Sequence, residues 1–394
     1  DYGLLPLGIH HYLGSWESYS MRNDARGRNY TTWKKRSALM KWAVTGGVDE
    51  EIVPWIFGFI QMVGTQTAQR LFQDVGLPKI NSQTQKSNFV DKSLHLKESK
   101  TQVQKPASNF NGTFSSCLLF KDDNHRLSEW IAYHYYALPL GYLVIGVDSS
   151  TKTQPKIDKY WREHLNIIIL NETQYCGQGD LERCITKEND SSERSYRKHQ
   201  RRQLRFYQAC SIHLKEEGRT WTTFHDVDEF VSISEEFDSN LNSAIKTPGF
   251  VEKIIHRYQQ NGTSTSFVNE KFSSSCIILS RVLYSSTEDP LLLRNHSFPT
   301  WLDKDRFDTL RYLHRVNPRL NRGTARDGLG KAIIDVSRLT SNDFQEKGFS
   351  VMNKNKGSAH RPWRTKCIGS SLYDDYGLLP LGIHHYLGSW ESYS

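Results

Sequence analysis

The stretch W-T-T-F-H-D-V-D-E-F-V at residues 221–231 sets two carboxylates, Asp226 and Asp228, two positions apart in an aromatic and β-branched run. Drawn as one extended strand, it alternates faces. Phe224, Asp226, Asp228 and Phe230 then share one side, and Trp221, Thr223, Val227 and Val231 the other. Two like charges side by side are costly to bury unless a cation or hydrogen-bond donors compensate. The pattern therefore predicts a hard divalent cation, magnesium or manganese, whose remaining positions suit the oxygens of a diphosphate. His225 falls on the opposite face and reads as a histidine that is packed, or that supports the ligands from behind, rather than as a ligand to the same ion. The plainer alternative is a solvated strand end that marks a turn. A bare D-x-D is common, so the apolar run into the acids and Glu229-Phe230 after them carry the argument.

The elements around this stretch alternate. Leu127, Trp130, Ile131, His134 and Leu138 mark a helix ended by Pro139 and Gly141, and residues 142–147 form a short apolar strand stopped by Asp148-Ser149-Ser150. A further helix and a strand over 165–170 follow. Residues 171–196 are polar and read as an exposed excursion. A helix runs from about Lys198 to Glu217 with Gly218 as its stop, and beyond the acidic strand come a helix over 248–259 and a strand over 276–280. Such alternation predicts an α/β fold with a parallel sheet. Ligands in these sheets sit beyond the carboxyl ends of the strands, where Asp148 and the Asp226–Asp228 pair both fall.

The chain has 394 residues, 37% hydrophobic and 12% aromatic, which places it with globular proteins. Its net charge of +8 is densest over 194–205, yet no nucleic-acid motif accompanies it, and a basic cleft for an anionic small molecule accounts for it as well. The six cysteines, Cys117, Cys176, Cys184, Cys210, Cys276 and Cys367, form no C-x-x-C pair, which argues against structural zinc. With N-x-S/T acceptors at Asn29, Asn111, Asn171, Asn189, Asn261 and Asn295, they tilt the compartment toward the secretory lumen. No apolar run reaches the roughly 20 residues that span a bilayer.

Residues 1–20 recur unchanged as 375–394. A tandem array, or an overlapping readout of a circular template, would produce such a repeat. Either history makes 1–80 the helical tail of a repeat unit. Thr31-Thr32 caps a basic helix to Val44, and Ile52, Trp55, Ile56, Phe59 and Val63 follow helical spacing in a second, with a further turn at Ala68, Leu71 and Phe72. Residues 81–115, rich in Ser, Gln, Lys and Asn, read as a disordered linker, and the main domain occupies 116–394.

The series S-E-W-I-A-Y-H (128–134), G-V-D-S-S (146–150), Q-x-x-F-Y-x-x-C (203–210), W-T-T-F-H-D-V-D-E-F (221–230), G-K-A-I-I-D (330–335) and H-Y-L-G-S (385–389) resembles glycosyltransferase family 92 and related family 2-like enzymes. That resemblance implies a GT-A fold, a mixed and mostly parallel sheet flanked by helices. It further implies a nucleotide-sugar donor, manganese or magnesium, a glycan or glycoprotein acceptor, and residence in the Golgi or secretory lumen, with room for a membrane anchor in a longer gene product. On the matching positions, Asp226 and Asp228 would form the metal motif, Asp148 would lie near the nucleoside and Lys331 would face the diphosphate. A late histidine ligand would be His360 or His385, with His384 less suited. Inverting transfer needs a carboxylate base, for which Asp303, Asp305 and Asp308 in W-L-D-K-D-R-F-D are the candidates. The rival readings are a metal-dependent phosphohydrolase or nucleotidyltransferase, and an inactive carbohydrate-binding or scaffold relative.

Overall fold

A computed structural model describes residues 48, 50–73, 114–177, 181–184, 192–233, 245–261, 276–284, 293, 296–314, 331–344, 363 and 381–386. The expected helix over 31–44, nearly all of the linker and His360 lie outside these residues.

The main unit opens with β1 (Phe114–Phe120), α3 (Asn124–Ala137) and β2 (Leu140–Val147). It continues through α4 (Lys159–His164), β3 (Asn166–Leu170), α5 (Glu172–Cys176), α6 (Leu181–Cys184) and α7 (Ser192–Glu216) to β4 (Trp221–Phe224). Then come β5 (Glu229–Ile233), α8 (Phe250–Asn261), β6 (Cys276–Tyr284), the single turn α9 (Asp308–Arg311), β7 (Lys331–Asp335) and β8 (Leu381–Tyr386). Upstream, α1 (Pro54–Val63) and α2 (Thr65–Phe72) carry the helical stripe. Trp55, Phe59 and Phe72 from these two helices are buried in the same hydrophobic cluster as Trp130 and Tyr133 of α3.

The strand order is β3-β2-β1-β4-β7-β6-β8-β5. Strands β3, β2, β1 and β4 run parallel, while β7 is antiparallel to both β4 and β6. The result is a mixed α/β architecture whose main sheet is mostly parallel and flanked by helices. The first half of β6 pairs with β7. Its second half pairs with β8, which also binds β5. The chain thus runs outward from β1 to β3 and returns through α7 to β4 on the other side of β1. In open α/β sheets the ligand crevice lies at such a reversal, here the carboxyl ends of β1 and β4.

Several boundaries differ from the sequence reading, each for a local reason. The run over 221–231 is not one strand: β4 stops at Phe224, residues 225–228 turn, and β5 starts at Glu229. The amide of Glu229 donates to the Asp226 carbonyl at 3.1 Å, closing the turn. The alternation of faces expected across Asp226 and Asp228 therefore does not hold. Strand β1 begins at Phe114, inside the stretch read as linker. Its serines are tolerated because Thr223 Oγ1 donates to Ser116 Oγ at 2.9 Å and Arg219 Nε to Ser115 Oγ at 3.2 Å. The polar excursion holds α5, whose Asn171 and Gln174 side chains form a reciprocal capping box, and α6, tied to α5 by the Cys176–Cys184 disulfide. A second disulfide, Cys117–Cys210, fastens β1 to α7.

Gly146 shows how tightly α7 lies on β2. A Cβ there would meet the Phe206 ring at 2.4 Å, and that ring is fully buried. Gly146→Ala should lower unfolding free energy by about 1–3 kcal/mol, the usual cost of overpacking, in a denaturant titration.

Candidate functional site

The crevice gathers its charges from the ends of several strands and from helices α3, α7 and α9. Asp226 and Asp228 occupy the turn after β4, Asp123 follows β1, Asp148 follows β2, and Lys331 opens β7; all are buried. Lys331 Nζ lies 2.8 Å from Asp226 Oδ2 and 3.0 Å from Glu229 Oε2, so one ammonium bridges two carboxylates. Gln203 Nε2 of α7 donates to the other Asp226 oxygen at 3.0 Å. The Asp226 amide donates to Glu229 Oε2 at 2.9 Å. Glu229, expected only to continue the strand, is therefore part of the site. Burial pushes the Asp226 carboxyl up to about 6, against the pull of Lys331 and with the help of Glu229 and Asp228.

A second charge centre adjoins the first. Arg126 of α3 pairs with Asp308, stands 3.9 Å from Asp123, and feels the charge of Asp228. Burial alone would weaken its hold on the proton, but these acids keep its pKa above the usual arginine value. Beside it, Glu129 accepts hydrogen bonds from the amides of Asp308 (2.8 Å) and Thr309 (3.0 Å) and from the Thr309 hydroxyl (2.6 Å). Burial, then the neighbouring Asp308 charge, pushes Glu129 up to about 8. Trp55 Nε1 of α1 donates to Thr309 Oγ1 at 3.0 Å, linking the upstream helices to this centre.

Asp148 is held differently. Arg202 of α7 approaches its Oδ2 at 2.8 Å, and Ser150 donates to its Oδ1 from the amide at 2.9 Å and the hydroxyl at 2.7 Å. Burial raises this carboxyl, yet Arg202, Lys121 and the serine bonds outweigh it, and the net shift is downward. Arg202 also faces Glu172 at 3.7 Å and donates to the Cys184 carbonyl at 2.8 Å.

His225 is buried, with its Nε2 3.0 Å from His134 Nε2, away from the acids that flank it in sequence. Burial drives both imidazoles well below the usual histidine pKa. His385 lies on β8 in register with Glu229. Of the three candidate bases, Asp308 joins the crevice through Arg126, Asp303 is exposed, and Asp305 sits in a one-turn 3-10 helix over Lys304–Arg306. Arg126, Glu129, Arg202, Gln203 and Glu172 were not singled out from the sequence. Glu129 and Gln203 nonetheless stand inside the S-E-W-I-A-Y-H and Q-x-x-F-Y runs, and those runs were the available signal.

Among the described residues no three His, Cys, Asp or Glu side chains converge as a ready metal cage. The donor set still fits a divalent cation. Asp123, Glu129, Asp226, Asp228, Glu229 and Asp308 are each buried, and Lys331 and Arg126 are cations that oppose them. A divalent ion is one compensation that buried carboxylates allow. No described helix is long and apolar enough to cross a membrane. No protein-family model matches the chain, and no curated protein matches it.

The shifted carboxyl of Glu129 sets a sign for pH dependence. Its folded pKa, about 8, lies above an unfolded value near 4.5, so the folded state holds the extra proton between the two. Stability should fall as pH rises from about 4.5 to about 8, and Glu129→Gln should flatten that slope in thermal melts across the range.

Proposed function

We propose that this chain is a metal-dependent glycosyltransferase of GT-A fold, moving a hexose from a nucleotide-sugar donor to a hydroxyl of a glycan or glycoprotein acceptor with inversion. The observation that carries the reading is the position of the D-V-D turn. It sits at the reversal point of a mostly parallel sheet, with a buried lysine on one side and Asp148 one strand beyond β1 on the other. Crevices of this kind hold nucleotides across the carboxyl ends of the strands.

Asp228 would hold manganese or magnesium, with His385 or His360 as the late nitrogen ligand and Asp226 close by. The ion would neutralise the charge that builds on the departing diphosphate. Lys331 orients Asp226 and supplies a fixed positive charge at the same end of the sheet. Arg202 and Ser150 fix Asp148 in its ionised form, suited to accept hydrogen bonds from a nucleoside. Of the candidate bases Asp308 is the one tied to the crevice, and it would have to exchange its Arg126 contact for the acceptor hydroxyl to take that proton. The Cys117–Cys210 and Cys176–Cys184 disulfides support an oxidising compartment such as the Golgi lumen.

Titration calorimetry of a panel of nucleoside diphosphates, with and without manganese, tests this reading. The intact chain should bind one nucleotide only when manganese is present, and Asp228→Ala should abolish that binding while the protein stays folded. Manganese-independent binding, or none by the folded chain, would refute it.

A further inference from the structure

The turn that carries Asp226 and Asp228 has neither a strand ladder nor a glycine to set its shape, and it is seated on α3 instead. Trp130 Nε1 donates to the Asp226 carbonyl at 3.1 Å. Tyr133 donates from its hydroxyl to the Val231 carbonyl at 2.8 Å, just past the turn. Between them stands His134, whose Nδ1 lies 2.8 Å from the Trp130 carbonyl. A carbonyl only accepts, so Nδ1 carries the proton and Nε2 offers a lone pair. Two groups reach that lone pair: His225 Nε2 at 3.0 Å and the Val231 amide at 3.4 Å. An amide can only donate, and His225 must do likewise, because two bare nitrogens would repel. His225 is therefore protonated on Nε2, and its buried Nδ1 is left with no hydrogen bond. Each tautomer follows from a neighbour that has no choice of role.

We propose that His134 and His225 are positioning residues, a proton-ordered imidazole pair that fixes the backbone of residues 225–229 and so holds the turn that carries Asp226 and Asp228 in one shape. The chain of bonds runs from the α3 backbone through both rings to the residue that precedes Asp226. Trp130 secures the Asp226 carbonyl from the same helix, so the turn is held at two successive residues. The significance of the fixed turn rests on the cation-site reading, whereas the bracing itself stands on the hydrogen bonds alone. An ordinary packing role differs in one respect: the rings also touch Trp130 and Phe230, and packing would be indifferent to which nitrogen donates.

Three forms of the full chain separate the two roles: wild type, His225→Gln and His225→Leu. A glutamine amide reaches about where imidazole Nε2 lies and keeps the donor, whereas leucine keeps only bulk. Amide hydrogen exchange at residues 226–231 is compared with exchange in β2, and manganese affinity is read in parallel. His225→Leu should speed exchange in the turn by roughly tenfold, the worth of one hydrogen bond, and leave β2 unchanged. It should also weaken manganese binding by roughly 10–100-fold, as loss of an outer-shell orienting group does. His225→Gln should stay within roughly threefold of wild type on both, a margin below one hydrogen bond. Equal behaviour of the two variants, or acceleration spread evenly over the sheet, would overturn the proposal. If wild type binds no manganese, the cation-site reading fails while the exchange comparison still decides the bracing. Should His225→Leu not fold, Trp130→Phe removes the other brace and is expected to loosen the same residues selectively; uniform loosening there would count against it.

Discussion

Carboxylates that share a buried space must be compensated, and this constraint shapes the whole carboxyl end of the sheet. Lys331 answers it for Asp226 and Glu229, and Arg126 for Asp308, Asp123 and Asp228. Lys331 is remote in sequence from both acids it serves, and Arg126 from Asp308 and Asp228, while Asp123 lies three residues before Arg126. Removing one partner of such a buried pair costs about 3–5 kcal/mol, because the other charge is left stranded. Displacing either strand or helix would therefore strand a buried charge, in addition to exposing the apolar core. β7 must lie beside β4 for Lys331 to arrive, and α3 must pack over the turn for Arg126 to do so.

The topology supplies the rest. The chain reverses between β3 and β4, and in sheets of this kind ligands bind beyond the strand ends at such a reversal. Disulfides and buried ion pairs then secure the return path. Cys117–Cys210 ties the central strand to α7, and from α7 Arg202 and Gln203 reach Asp148 and Asp226 in turn. One helix thus positions a residue at each side of the crevice. The upstream helices contribute through Trp55, which closes the Glu129–Thr309 cluster from behind.

Much of this was legible in the sequence, but not the part on which the geometry turns. The β–α alternation, the acids at strand ends and the apolar stripe of α3 follow from period and composition alone. The break at 225–228 did not show, since Val227 keeps the alternation regular and no glycine or proline marks the turn; tertiary contacts from Trp130 and His134 shape it instead. Ser115 of β1 read as linker because a hydroxyl satisfied across a sheet looks, in one dimension, like a hydroxyl in water. Long-range partners such as Arg126 and Asp308 leave no local trace at all, and the pairing of β8 with both β5 and β6 is likewise invisible to spacing.

The most direct test of the account is anomalous diffraction from crystals of the folded chain soaked in manganese and measured at the manganese edge. A single strong peak against the Asp228 carboxylate, at the carboxyl end of β4, is the expected result. A peak confined to surface acids, or a crevice that stays empty while Lys331 keeps its bridge between Asp226 and Glu229, would show that lysine and arginine alone balance the buried carboxylates, and the cation-site account would be wrong.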